Sequence, residues 1–196
     1  MKEIKVKILS VDKIKEKLDD LLNYVSIDRI NKYMSYKKEN DKLLTLGAGY
    51  FIKKYISNDG IYYNEFNKPL MKDIFFNISH SNRYVVFIKY EKECGIDIEE
   101  VKDDTKEISK FSFKETILDS MDFYYHWTLK ESLCKCVGSG INLDNFRDIK
   151  VNEGYTTYQD NKYYLNTIVY NNYFISLCIK DEEPFVIKVE DEIINQ

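Results

Sequence analysis

Two kinds of period, each appearing twice in the same order, constrain this chain more than any other feature. Apolar residues first recur at helical spacing: "DKIKEKLDDLLNYV" (12–25) aligns Ile14, Leu18, Leu21, Leu22 and Val25 on one face, and "SIDRINKYMSYKKENDKLLTLGAGYFIKKY" (26–55) continues as a longer helical region. The period then drops to two in "DIFFNISH" (73–80), "RYVVFIKY" (83–90) and "CGIDIEEV" (94–101). Their short polar links, "SN" and "EKE", predict an antiparallel meander. A second helical stretch covers 103–140, and strand patterns return over 146–190. A first strand, "EIKVKILS" (3–10), precedes it all. Helices followed by strands, twice, read as an α+β fold of two similar halves, residues 1–101 and 102–196. No sequence repeat, linker or low-complexity segment separates them.

Bulk properties narrow the function classes. The formal net charge of −4 argues against general affinity for nucleic acid or an anionic membrane surface, so an anionic ligand must be held by local cations. No apolar run approaches the length of a membrane span, and the N-terminus lacks a signal-peptide core. Cys94, Cys134, Cys136 and Cys178 lie in apolar or amphipathic segments without metal-ligand spacing. They read as reduced core thiols of a cytoplasmic protein.

The stretch "FYYHWTLKESLCKCV" (123–137) carries the one tryptophan. Leu129, Leu133, Cys136 and Val137 share a core face, whereas Trp127, Glu131 and Lys135 stand at i, i+4 and i+8 on the other side. Glu131 and Lys135 alone fit an ordinary surface pair, but Trp127 needs a second surface to cover. Gly138 fits the helix C-terminal cap, and Ser112 with Glu115 fits a capping box for a short helix before it. In "GIDIEE", Ile96 and Ile98 face one way and Asp97 and Glu99 the other. Those carboxylates fit either a solvated strand face or half of a divalent-cation site, since clustered carboxylates resist ionisation without a cation between them. His80, flanked by Ser79 and Ser81 at a strand end, offers donors for phosphate. Arg29, Lys32, Lys37, Lys38 and Lys42 form a basic helical stretch, and no Walker-type loop is present.

Four motifs in order, "NKP" (67–69), "FNISHS" (76–81), "GIDIE" (95–99) and "WTLKESLCKCVGSGI" (127–141), resemble the surfactin-synthetase type of 4′-phosphopantetheinyl transferases. The resemblance implies two halves related by a pseudo-twofold, with coenzyme A in the cleft between them. It implies Mg²⁺-dependent transfer of the phosphopantetheine arm of coenzyme A to a serine of an acyl or peptidyl carrier protein, releasing adenosine 3′,5′-bisphosphate. By the same resemblance Asp97, Glu99 and Glu131 are the metal carboxylates. Lys135 stabilises the transferring phosphate, with Lys130 close by. Glu131, alone or through a metal-bound water, takes the serine proton. His80 and Ser79 contact the coenzyme A phosphates, Lys68 and Pro69 the nucleotide, and Arg29, Lys32 and Lys42 are candidates for the 3′-phosphate. The sequence departs from the family pattern at Asn67, where glycine is usual, and in "KLLTLG", where leucines replace an arginine–threonine pair. The expected partners are coenzyme A and a carrier protein, with neither nucleic acid nor membrane, and a monomer suffices. Two other readings share these residues: a catalytically silent coenzyme A- or carrier-binding module, and an unrelated Mg²⁺-dependent phosphodiesterase.

Overall fold

The computed structural model describes residues 1–57, 60–66, 68–103, 113–138, 149–151 and 154–194. Strand β1 (Lys2–Ser10) leads into α1 (Val11–Glu16), α2 (Leu18–Tyr24), α3 (Ile27–Ser35) and α4 (Glu39–Tyr55). Ser10 and Ser26 cap α1 and α3, their hydroxyls accepting from Lys13 N and Arg29 N. The two helical regions expected over 12–25 and 26–55 are thus each divided, at Lys17 and at 36–38. Tyr36 and Lys38 are extended, and no Gly or Pro there announces the break.

Strands β2 (Tyr62–Tyr63) and β3 (Pro69–Leu70) form a small hairpin. After them come β4 (Phe75–Ser81), β5 (Tyr84–Tyr90), β6 (Cys94–Glu100), helix α5 (Ser120–Val137), β7 (Gly154–Tyr158), β8 (Asn161–Tyr170), β9 (Tyr173–Ile179) and β10 (Phe185–Asp191). One four-stranded sheet has the order β10-β1-β5-β4 and the other β6-β9-β8-β7. The expected meander of 73–101 is therefore half right. β4 and β5 pair antiparallel, but β6 leaves to pair with β9. The final strand makes the reverse exchange, with β10 running parallel to β1 in the first sheet. Charge complementarity favours that pairing: Glu190 meets Lys5 at 2.9 Å and Lys7 at 2.8 Å, and Lys188 meets Glu3 at 3.2 Å.

Three apolar clusters stack the layers. α1–α4 cover one face of the first sheet through Ile14, Leu21, Leu46, Phe51, Val85 and Phe87. Its other face, with Val6, Ile8, Val86 and Ile88, packs on Ile96, Ile98, Ile175 and Leu177 of the second sheet. Leu129, Leu133 and Cys136 of α5 close the far face of that sheet against Leu165 and Cys178. The mixed α/β architecture agrees with the expected class. All four cysteines are buried and free, as their apolar settings required. Among the described residues no helix is long and apolar enough to cross a membrane.

Helix α5 begins at Ser120, where Asp119 accepts from Asp122 N at 2.9 Å. The capping box expected at 112–115 falls differently: Ser112 lies outside the described residues, and 113–119 is not helical. Gly138 ends α5 as expected, at φ 76°, its N–H reaching Cys134 O at 2.8 Å. Where α5 crosses β6, Gly95 is the contact. A Cβ there would collide with Cys136 N and Ser132 O and stand 2.8 Å from Cys136 Cα. Gly95→Ala is therefore expected to lift α5 from the sheet and lower stability by roughly 1–3 kcal/mol or more. A urea midpoint equal to wild type would refute this contact.

Candidate functional site

The approach of α5 over Gly95 decides which side chains meet. On β6 the alternation is as expected, Ile96 and Ile98 facing the inter-sheet core while Asp97 and Glu99 face the other way. That other face is not solvated: α5 covers it, and Asp97 is 2% exposed. Glu131, 8% exposed, and Lys135 reach it from the helix. Lys135 Nζ lies 2.5 Å from Asp97 Oδ1 and donates to Ser79 Oγ at 2.9 Å. Ser79 in turn donates to the same Asp97 oxygen at 2.8 Å.

Strand β4 supplies the opposite wall through its odd-numbered residues. Asn77 Oδ1 accepts from Ile96 N at 3.0 Å, Ser79 bonds Asp97, and Ser81 donates to Glu99 Oε2 at 3.0 Å. The polar alternation of "FNISHS" is thus the seam between two sheets, its side chains capping the β6 edge that no strand pairs among the described residues. His80, pointing to the α3–α4 side, is exposed. Crowding by the surrounding protein, then the charges of Lys135 and Lys32, lower its pKa.

The electrostatics are those of crowded carboxylates. Burial, then the Asp97 charge, pushes Glu99 up to about 7. The same two causes, in the same order, raise Glu131 to about 7. Burial alone would lower the Lys135 ammonium, but Asp97 and Glu131 more than reverse it, and its pKa is raised. Asp97 Oδ2 is buried with no hydrogen-bond partner among the described residues. Among the described residues no three His, Cys, Asp or Glu side chains converge as a ready-made metal cage. The donors nevertheless suit a hard cation: an orphaned carboxylate oxygen beside two carboxyls that resist ionisation for lack of positive charge.

These shifts give a signed pH dependence. A carboxyl whose folded pKa stands near 7, against about 4.3 unfolded, favours the folded state while protonated and loses that contribution as pH rises through this window. In chelator, the urea midpoint is expected to fall between about pH 5 and about pH 8 more steeply for wild type than for Glu131→Gln. Parallel profiles would contradict the raised pKa.

The remaining expected residues are spread around this centre. Lys130 is not with the carboxylates. One residue from Glu131 is about 100° of helix, and its ammonium, 1% exposed, pairs with Glu115 Oε2 at 3.0 Å and donates to Ile149 O. Glu115 also accepts from Val151 N at 2.9 Å. The sequence reading of Glu115 as a cap residue missed this role. Its only signal was an acid placed before a helix whose midpoint lysine falls on a buried side.

Lys68 Nζ donates to Cys136 O at 2.8 Å, at the end of α5. With Pro69 it lines a cavity of about 400 Å³ together with Phe76, Cys94, Cys136 and Gly138. Arg29 lies across Gly49, donates to Thr45 Oγ1 at 3.1 Å, and with Lys32 and Tyr63 lines a second cavity of about 240 Å³. Lys42 sits over the Tyr33 ring, 5.5 Å from its centroid. Trp127 is half-buried against Phe123, ring centroids 5.7 Å apart.

Comparison with known proteins converges on the same segments. Residues 93–178, which span β6, α5 and β9, match the family model of the 4′-phosphopantetheinyl transferase superfamily. A 4′-phosphopantetheinyl transferase of Bacillus subtilis is 39% identical over 85 residues, 38% of this chain and 38% of that protein. The 4′-phosphopantetheinyl transferase Sfp of Bacillus subtilis (strain 168) is 29% identical over 149 residues, 65% of this chain and 66% of its own length. The 4′-phosphopantetheinyl transferase gsp of Aneurinibacillus migulanus is 32% identical over 142 residues, 63% and 60%. The chain thus matches less than two thirds of the length of each of these relatives.

Proposed function

From a chain that belongs to the 4′-phosphopantetheinyl transferase superfamily, of the surfactin-synthetase type, we propose an active transferase that moves the phosphopantetheine arm of coenzyme A onto a serine of an acyl or peptidyl carrier protein. The observation that carries this reading is the seam site: Asp97 and Glu99 on β6, Glu131 and Lys135 on α5 and Ser79 on β4, drawn from segments that mean little apart. The two-half reading, 1–101 and 102–196 with the site in a cleft between them, belongs to the same proposal. It draws support from the site's residues coming from both stretches, Asp97 and Glu99 from 1–101 and Glu131 and Lys135 from 102–196, although β6 pairs in the second sheet and β10 in the first.

Asp97, Glu99 and Glu131 would hold Mg²⁺, which would supply positive charge for the pyrophosphate of coenzyme A. Glu131, on the α5 face that covers Asp97, is the carboxylate placed to accept a proton there. The serine hydroxyl gives its proton to Glu131 as its oxygen bonds the pantetheine-side phosphorus. The bridging P–O bond breaks, and adenosine 3′,5′-bisphosphate leaves. Lys135 meets the charge that develops on the phosphoryl oxygens. His80, with Lys32, Arg29 and Lys42 on the α3–α4 side, forms the anion-holding wall for the coenzyme A phosphates. Lys68 and Pro69 border the nucleotide at the α5 terminus, and Lys130, paired with Glu115, anchors α5 away from the carboxylates.

Incubation with coenzyme A and Mg²⁺, with and without apo-carrier, separates this reading from its competitors. Adenosine 3′,5′-bisphosphate released only when carrier is present supports transfer. Release without carrier indicates a phosphodiesterase, and coenzyme A binding without release under any condition indicates a silent binding module.

A further inference from the structure

We propose that Lys135 is the resident cation of the carboxylate cluster: its ammonium latches Asp97 until a divalent cation displaces it, and the freed ammonium then meets the anionic substrate. The inference rests on the Mg²⁺-dependent reading above. It starts from the contact of Lys135 Nζ with Asp97 Oδ1, 2.5 Å apart at the seam that Glu99 and Glu131 also face. Among the described residues the side-chain polar contacts of Asp97, from Lys135 Nζ and Ser79 Oγ, meet at its Oδ1, and Oδ2 has none. Asp97 is thus held from one side and open on the other.

A hard cation bonds carboxylate oxygen at about 2.0–2.6 Å. On Asp97 it would stand within a few ångströms of the ammonium, where like charges repel strongly in a partly desolvated site. Lys135 is built to yield. Its side chain is 30% exposed, and a flexible four-carbon stem carries a compact point charge. The contrast is Lys130 on the same helix, whose side chain is 1% exposed and held by Glu115 and Ile149. One lysine is locked and the other is displaceable, and only the displaceable one faces the carboxylates.

The test measures Mg²⁺ binding by calorimetry with MgCl₂ alone, and thermal unfolding with and without MgCl₂, on wild type, Lys135→Met and Lys135→Gln. The glutamine variant keeps a polar tip should methionine not fold. A latch closed about nine-tenths of the time weakens apparent affinity about tenfold. Both variants are therefore expected to bind Mg²⁺ about tenfold more tightly than wild type. In chelator they should melt below wild type, because Asp97 loses its cation, and saturating Mg²⁺ should close that gap. Equal affinities together with a melting gap that persists in Mg²⁺ would overturn the latch and leave the metal reading standing. Wild-type protein that binds no Mg²⁺ would overturn the metal reading and the latch with it.

Discussion

Glu131→Gln is expected to lower the rate of phosphopantetheine transfer by about 10²–10⁴, the range ascribed to a positioned general base, while the protein stays folded. Glutamine keeps the volume and one acceptor but removes both the proton acceptor and a charge from the cluster. The side chain departs from α5 away from Leu129, Leu133 and Cys136, so the core of the helix is untouched. Far-ultraviolet circular dichroism and a urea melt check the fold, and single-turnover transfer checks the chemistry. Turnover within a few-fold of wild type would remove Glu131 from the proton-transfer role.

The second large effect is structural. Lys130→Met leaves the Glu115 carboxylate buried without its partner, a change that costs about 3–5 kcal/mol when one member of a buried pair is removed. Burial pulls the Lys130 ammonium down and Glu115 pushes it back up. Adding Glu115→Gln removes the stranded charge yet keeps an acceptor for Val151 N, and most of the loss should return. Urea midpoints around this double-mutant cycle measure the coupling. A single-variant loss under about 1 kcal/mol, the scale of a surface pair, would contradict the buried latch.

Short-range signals made much of this legible from the sequence. The period-two alternation of 94–100 separated Ile96 and Ile98 from Asp97 and Glu99, and Gly138 marked the end of α5. Helical spacing set Glu131 and Lys135 opposite the Leu129–Leu133 face. What escaped depends on partners far along the chain. β6 reads like a third strand of a meander, but it pairs with β9, more than 70 residues on, and packs Gly95 under α5. β10 joins β1 through lysine–glutamate contacts that neither segment declares by itself. Lys130 could have been set apart from Glu131 on helical geometry, but its partner Glu115 lies in a segment whose local pattern argues only for a cap. The division at 36–38 leaves no mark because tyrosine and lysine tolerate both helical and extended backbone.

The most direct measurement of the central claim is the mass of an apo-carrier protein after incubation with this chain, coenzyme A and Mg²⁺. The expected result is a gain of one phosphopantetheine group on the carrier, matched mole for mole by adenosine 3′,5′-bisphosphate and abolished by chelator. An unchanged mass on each of a fatty-acid, a polyketide and a peptidyl carrier, with the enzyme folded and coenzyme A intact, would contradict it.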